Sequence, residues 1–244
     1  MSADLLANRI CLITGSSRGI GLGIARAFIG YGAKVTLHGR DEEVLSECFA
    51  SLPQPSKYNC IAADLNRPEG PLTLAEGFLR LHDRLDVLIH SAGILGPKTP
   101  LANYAEEAWS DVLRINLTAP FLITQALLPA LSRGDNSAVI FISSGVGRKG
   151  RAEWGAYAVS KFGVEGLTQV WAEELQNEGI RVNAVNPGGT RTQMRAAAYP
   201  LEDPLTLPTP EEIAPVFVWL ARQDTKIAGE SLEAREWIGR DPAI

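Results

Sequence analysis

Short apolar runs alternate with longer amphipathic stretches along most of this 244-residue chain, and few architectures accommodate that alternation. Ile10–Thr14, Lys34–His38, Tyr58–Ala62, Asp86–His90, Ala138–Ser143 and Ile180–Val185 have the pattern of strands buried on both faces. Between them, Ile20–Gly30, Glu42–Ser51, Pro71–His82, Glu106–Ser132 and Trp154–Glu178 carry apolar residues at helical spacing. Repeated strand-helix alternation predicts an α/β fold: a doubly wound parallel sheet with helices on both faces. No linker, charge block or low-complexity tract divides the chain, so 1–244 reads as a single domain. The one shift in composition is Arg195–Pro210, with Pro200, Pro204, Pro208 and Pro210. It follows the Asn186-Pro187-Gly188-Gly189 turn and precedes a helical pattern over Pro210–Arg222. A loop of that length is usually functional, so about 189–222 reads as a substrate loop or lid, with a solvated connector as the plainer alternative.

Charge narrows the partners. The net charge is −5 and the pI about 5.3, which argues against nucleic acid and anionic lipid as ligands. Cys11, Cys48 and Cys60 form no metal-ligand spacing with each other or with histidine, so no metal site is expected. Their number fits reduced thiols in a cytoplasmic protein. No apolar stretch is expected to reach the ~18–20 residues that span a bilayer, and no leader pattern precedes the first strand.

The first strand runs into Thr14-Gly15-Ser16-Ser17-Arg18-Gly19-Ile20-Gly21, which opens a helix. Glycine allows a tight turn and close approach of backbone to a pyrophosphate, and the helix N-terminus offers free N–H groups. The spacing is GxxxGxG and not the generic GxGxxG, and alone it could be an ordinary Gly-rich turn. After the second strand the chain reads His38-Gly39-Arg40-Asp41. Gly39 leaves empty the position where a carboxylate would bind an NAD ribose, and Arg40 with Arg18 can converge on a 2′-phosphate. Asp41 is read as the N-cap of the helix at Glu42. NADP(H) is therefore the expected cofactor.

Tyr157 and Lys161 are i,i+4 neighbours on a helical pattern, and Ser144 lies at the end of the preceding strand. A phenol's ordinary pKa of about 10 is too high for efficient proton transfer near neutrality. An adjacent ammonium, together with the positive charge of an oxidised nicotinamide, is expected to lower it, while Ser144 hydrogen-bonds a substrate oxygen. A lone YxxxK is weak, since it also describes a surface phenol over a lysine stem.

With these motifs in order, the chain resembles the short-chain dehydrogenase/reductase family from end to end. Within that family, Ser143–Tyr157 and Pro187–Arg195 resemble the YciK-like bacterial oxidoreductases. The resemblance implies a single Rossmann-type domain and hydride transfer between a nicotinamide and a carbonyl/alcohol substrate. It implies a catalytic set of Asn116, Ser144, Tyr157 and Lys161, with Asn116 positioning a water that relays protons to Lys161. Cofactor contacts are implied at Gly15, Ser17, Arg18, Gly19, Ile20, Gly21, Arg40, Asp64, Leu65, Ser91, Ala92, Gly93, Tyr157, Lys161, Pro187, Gly188, Thr190 and Thr192. Gly145, Trp154, Gly189 and Met194 are the expected pocket residues. Read from its own residue type, Asn116 could instead mark a structural kink.

Two departures stand out. His90-Ser91-Ala92-Gly93 replaces the family's NNAG, and His90 is expected to be a strand-end residue with a satisfied ring. The tail Ile227–Trp237 lacks the usual VDGG ending, which puts a tetramer in doubt and favours a homodimer through Glu106–Ser132 and Trp154–Glu178. A non-catalytic NADP(H)-binding sensor is the rival reading, but it has no need of the four catalytic residues together. A sugar-nucleotide epimerase would be longer and would space its glycines differently.

Overall fold

Alternate residues along each strand divide between two apolar layers. Cys11, Ile13, Val35, Leu37, Ile89, Ile140 and Val185 pack on one face of the sheet, and Leu12, Leu88, Val139, Phe141 and Val182 on the other. The computed structural model describes residues 4–52 and 58–244, so parts of the 1–244 unit lie outside the described residues. The strands are β1 (Ile10–Thr14), β2 (Lys34–Gly39), β3 (Tyr58–Ala62), β4 (Val87–His90), β5 (Ser137–Ile142), β6 (Ile180–Asn186) and β7 (Ser231–Glu233). They form one sheet in the order β3-β2-β1-β4-β5-β6-β7, and every pairing is parallel.

Helices α1 (Gly19–Gly30) and α2 (Glu42–Ala50) cover the first face through Ile24, Phe28 and Leu45. The opposite face is covered by α3 (Gly70–Leu81), α5 (Ala119–Leu131) and α6 (Gly155–Leu175), through Phe78, Ile123, Leu127, Val164 and Leu175. α4 (Glu106–Leu113) leads into α5, α7 (Gln193–Ala198) follows β6, and α8 (Pro215–Ala221) returns to the first face. The chain winds outward from β1 to β3, then crosses back to place β4 on the other side of β1. The connections leaving the paired carboxyl ends of β1 and β4 consequently run to opposite faces, which is where doubly wound sheets leave a crevice for ligands.

Several expectations need correction. Glu106–Ser132 is not one α-helix: a π turn, Arg114–Thr118, separates α4 from α5. Pro120 has no N–H to offer the carbonyl of Asn116 four residues back, so a regular α ladder cannot pass this point. Arg195–Pro210 is only partly loop, since α7 enters it and a 3-10 turn forms at Pro204–Thr206. The helix expected over Pro210–Arg222 begins only at Pro215, whose fixed φ and missing N–H suit the first helical position. The short β7, absent from the sequence reading, pairs Ser231–Glu233 with Ala184–Asn186. Contrary to expectation, Glu106–Leu131 is long and apolar enough, by length and composition alone, to cross a membrane. Ile123, Leu127, Ala130 and Leu131 of this run are buried in the layer beneath the sheet.

Candidate active site

The glycine turn is held against the end of β4 by a single hydroxyl. Thr14 Oγ1 accepts from the backbone N–H of Ser91 (3.0 Å) and of Ala92 (3.1 Å). Gly15 adopts φ +62°, and a Cβ there would lie 2.6 Å from the Ala92 Cα, so both its conformation and its space require glycine. A Cβ on Gly21 would collide with the Gly15 carbonyl. His38 braces the turn from behind: its Nδ1 accepts from Gly15 N (3.1 Å), and its Nε2 lies 3.0 Å from the Ala63 carbonyl. Burial lowers the His38 pKa to about 4 and keeps the ring neutral. Sequence reasoning missed this role, although His38 sits at the end of a strand that points at the turn.

The residues present fit a dinucleotide. The N-terminus of α1 carries no side-chain cap and no acid in its first turn, which leaves its N–H groups and positive end for an anion. At the end of β2, a Cβ on Gly39 would come within 3.4 Å of the Ser17 hydroxyl, so the empty acid position faces a hydrogen-bonding group. Arg18 and Arg40 are exposed nearby in the chain, and Asp41 caps α2 by accepting from Glu43 N (3.0 Å) and Val44 N (3.1 Å). Asp64, half-buried, accepts from Asn66 N, while Leu65 and Ala92 belong to the same apolar layer. Ile20 packs against the opposite layer.

Ser144, Tyr157 and Lys161 come together beyond the end of β5. Ser144 hydrogen-bonds Tyr157, and Lys161 Nζ lies 5.6 Å from the Tyr157 ring centroid. The ammonium is buried and donates to the Ile142 carbonyl at 2.6 Å. Burial pulls the Lys161 pKa down to about 8, against an upward push from Glu165. The expected lowering of the phenol is not what the chain alone produces. Burial pushes Tyr157 up to about 12, with only the Ser144 hydrogen bond pulling the other way. The ammonium is directed at a carbonyl, and the phenol stays protonated.

Asn116 lies in the π turn, buried. Its Oδ1 accepts from Ile94 N (2.9 Å), while its Nδ2 donates to the Ile94 carbonyl (2.9 Å) and to Ser160 Oγ (3.1 Å). Ser160 Oγ donates to the Tyr157 carbonyl at 2.7 Å, which joins Asn116 to the Tyr157 helix. A Cβ on Gly93 would approach Asn116 Oδ1 to 3.3 Å. Asn116 therefore sits at a helical irregularity and also at the site. His90 meets half of its expectation. Its Nε2 lies 2.8 Å from Thr124 Oγ1, and its ring stacks on Phe141, but Nδ1 has no partner among the described residues.

Behind the site, Glu165 accepts from Ser143, from Ser231 (2.9 Å) and from Arg148 Nε (3.2 Å). Arg148 also meets Glu233 (2.6 Å), Glu233 accepts from Asn186 Nδ2 (2.8 Å), and Asn186 accepts from Gly188 N (3.0 Å). Arg235 donates to the Gly189 carbonyl and packs beside Gly188. The unusual tail thus braces the Pro187-Gly188 turn, a role not visible in its sequence. Thr190 is buried with its hydroxyl on the Pro187 carbonyl (3.2 Å). Thr192 N-caps α7 and lies against Gly19, and Arg18 donates to Gln193 (3.2 Å), so α7 reaches the glycine turn. Gly145 is exposed beside Asn186, and Trp154 packs with Tyr157 at 5.7 Å between centroids.

The 191–208 segment is internally braced. Arg191 donates to the carbonyls of Pro204 (2.8 Å) and Leu207 (3.0 Å), and Arg195 forms a two-point ion pair with Glu202 at 2.6 Å. Glu202 thereby neutralises Arg195, while Arg191 is engaged by backbone carbonyls. Leu201 is fully exposed, and Met194, an expected pocket residue, is partly exposed.

Residues 9–202 match the family described as short chain dehydrogenase, and the chain belongs to that family. It is 44% identical over 246 aligned residues to the uncharacterised oxidoreductase YciK of Escherichia coli K12, covering 99% of this chain and 96% of that protein. It is 32% identical over 229 residues to the 3-oxoacyl-[acyl-carrier-protein] reductase FabG of Thermotoga maritima, covering 90% and 93%. A short chain dehydrogenase of Shigella flexneri 2a, solved in complex with NADP, superposes with a TM-score of 0.91. The two are 44% identical, with 96% of this chain and 99% of that one covered.

The buried histidines generate a pH prediction. His38 and His90 have folded pKa values of about 4 and about 3, below the ordinary 6.5, both lowered first by burial. Below pH 6.5 the unfolded chain takes up protons that the folded chain refuses, so stability is full above that pH and declines as pH falls toward 4. The urea midpoint should drop across this window, and less so in His38→Gln. A midpoint that does not change between pH 6.5 and 4 would contradict the buried neutral rings.

Proposed function

We propose that this protein is an NADP(H)-dependent oxidoreductase that transfers a hydride between the nicotinamide and a carbonyl/alcohol substrate, acting on CH–OH donors in the oxidative direction. The observation that carries this reading is the convergence of Ser144, Tyr157 and Lys161 beyond β5, beside a glycine turn that opens an uncapped helix N-terminus. When bound, the dinucleotide supplies the hydride, and in its oxidised form a positive charge. Two relatives support the choice of cofactor, one solved with NADP and one from Escherichia coli CFT073 solved with NADPH. Gly39 and the two arginines support it from this chain's own residues.

In reduction, the Tyr157 hydroxyl donates its proton to the carbonyl oxygen while Ser144 holds that oxygen by a hydrogen bond. A phenol pushed up to about 12 is fully protonated at neutral pH, which is the form that reduction needs. Once the proton leaves, Lys161 faces a phenolate and stabilises it, and Asn116 positions the water through which the proton is replaced. In oxidation the same phenol must first ionise, which calls on the positive nicotinamide. Gly145, Trp154, Gly189 and Met194 border the substrate.

The 189–222 segment is proposed to be the cover of this pocket. It is pinned to the glycine turn through Gln193 and Thr192, and to α1 where Pro210 packs on Gly23 and Glu211 pairs with Arg26 at 3.1 Å. A homodimer through α5 and α6 fits the apolar side chains those helices leave outside. Phe121, Val159, Phe162 and Val170 are all exposed, beside a groove floored by Gly163 and Gly166.

NADPH oxidation screened against ketones, aldehydes, quinones and 3-oxoacyl thioesters should find turnover. Tyr157→Phe should then lower kcat by at least about 100-fold while keeping the fold and the NADPH affinity. Near-normal turnover in that variant would remove Tyr157 from the mechanism. Hydrogen exchange over 193–210 should slow when cofactor and a substrate analogue are bound together. Exchange that is already slow and does not respond to ligands would make this segment a fixed connector.

A further inference from the structure

Two cations at the mouth of the proposed substrate pocket have no carboxylate partner among the described residues. Trp154 stands 5.7 Å from the Tyr157 ring on one side and 5.9 Å from the Tyr199 ring on the other, so an aromatic wall leads outward from the reacting phenol. Lys98, in the loop after β4, holds its ammonium 5.5 Å from the Trp154 centroid and 4.9 Å from that of Tyr199. Arg151, in the loop before α6, donates to the Tyr199 hydroxyl at 2.7 Å. Arg195 stacks on the same ring at 3.8 Å, but Glu202 neutralises it. Lys98 gives one hydrogen bond, to the Ala198 carbonyl at 3.0 Å, and Arg151 gives one, so both retain unused donors.

From this arrangement we propose that the substrate is a carbonyl compound carrying an anionic group, carboxylate or phosphate, bound by Lys98 and Arg151 against the Trp154–Tyr199 wall while its carbonyl lies at Ser144 and Tyr157. The proposal rests on the carbonyl-reductase reading above and adds the substrate class. On a chain of net charge −5, two cations without carboxylate partners around Tyr199, one ring beyond Trp154, are more than holding a cover requires. Uncharged hydrogen bonds to the same Ala198 carbonyl and Tyr199 hydroxyl would suffice. An anion gives both charges a function and adds charge-assisted hydrogen bonds, which are the stronger kind. The aromatic faces accommodate the carbon chain between the two ends.

The test compares matched substrates that differ in one charge: succinic semialdehyde against butanal, and glyceraldehyde phosphate against glyceraldehyde. The holoenzyme is used as wild type and as Lys98→Ala, Arg151→Ala and the double variant. Wild-type kcat/KM should favour the charged member of at least one pair by about tenfold or more, and rising salt should reduce that preference. The pair that responds distinguishes carboxylate from phosphate. The double variant should lose that advantage mainly through KM and leave the neutral member within about twofold. Equal wild-type rates for charged and neutral members would overturn the proposal. So would equal losses on both members in the variants, which is the result a cover latch would give. Calorimetric binding of benzoate and phenyl phosphate, against benzamide, to the NADP-loaded enzyme decides the charge question without turnover. If no carbonyl probe is reduced, the carbonyl-reductase reading fails by itself. Anion binding that persists in the double variant overturns the present inference independently.

Discussion

Everything at the carboxyl edge of the sheet depends on how closely β1 and β4 are joined where their connections diverge. Thr14 spends one hydroxyl on two backbone N–H groups of the β4 loop, at 3.0 and 3.1 Å, and Gly15 then turns within van der Waals reach of Ala92. The connections leaving the paired ends of β1 and β4 part at this point, because α1 lies on one face of the sheet and α5 on the other. Without the tie, the loops would separate and leave two solvated turns. With it, the uncapped N-terminus of α1 faces a fixed floor, and the crevice has the shape of an extended ligand. His38 completes the arrangement from beneath by taking the Gly15 N–H that a looser turn would leave to water.

A second polar system holds the chemical half of the site in register with the first. Glu165 lies one helical turn after Lys161 and gathers Ser143, Ser231 and Arg148, and the chain of contacts continues through Glu233 and Asn186 to Gly188. β5, α6, β6 and β7 are thereby connected behind the reacting groups. Glu165 also supports the charge on a lysine that burial would otherwise discharge more readily. The rear of the site is thus fixed by a connected network in which the Ser143–Glu165 bond is buried and Arg148 joins two carboxylates. Its front, formed by α7 and the proline segment, is held by ion pairs and carbonyl contacts near the surface, which open at lower cost.

Ile10–Thr14 and Tyr58–Ala62 both appear with the predicted bounds, because their apolar content marks them as strands; the first is buried as expected, but the second is the edge strand, with only Tyr58 buried and Asn59 exposed. Family membership was also legible, since Ser144, Tyr157 and Lys161 follow the glycine turn in order. Features set by partners distant in sequence were not legible. β7 exists because Ser231–Glu233 finds the edge of β6, and three residues carry no period. The π turn depends on Asn116 bonding both backbone groups of Ile94, although Pro120 was a local sign of it. The bracing of Arg191 and Arg195 was not legible because their acceptors, the Pro204 carbonyl and Glu202, lie across a fold of the loop. The raised phenol of the chain alone was not legible either, because its first cause is the burial of Tyr157. Helical spacing places Lys161 near the phenol, but it does not reveal that the ammonium bonds Ile142.

We propose that Gly39 leaves room in this crevice for the dinucleotide's 2′-phosphate, held by Arg18 and Arg40. Titrating NADPH and NADH into the wild type and Arg40→Ala at one salt concentration measures this directly. A charge-assisted contact to phosphate contributes about 1.5–3 kcal/mol, so the wild type should prefer NADPH by at least about tenfold. Most of that preference should disappear in Arg40→Ala while NADH affinity stays unchanged. Equal wild-type affinities for the two dinucleotides would contradict the claim.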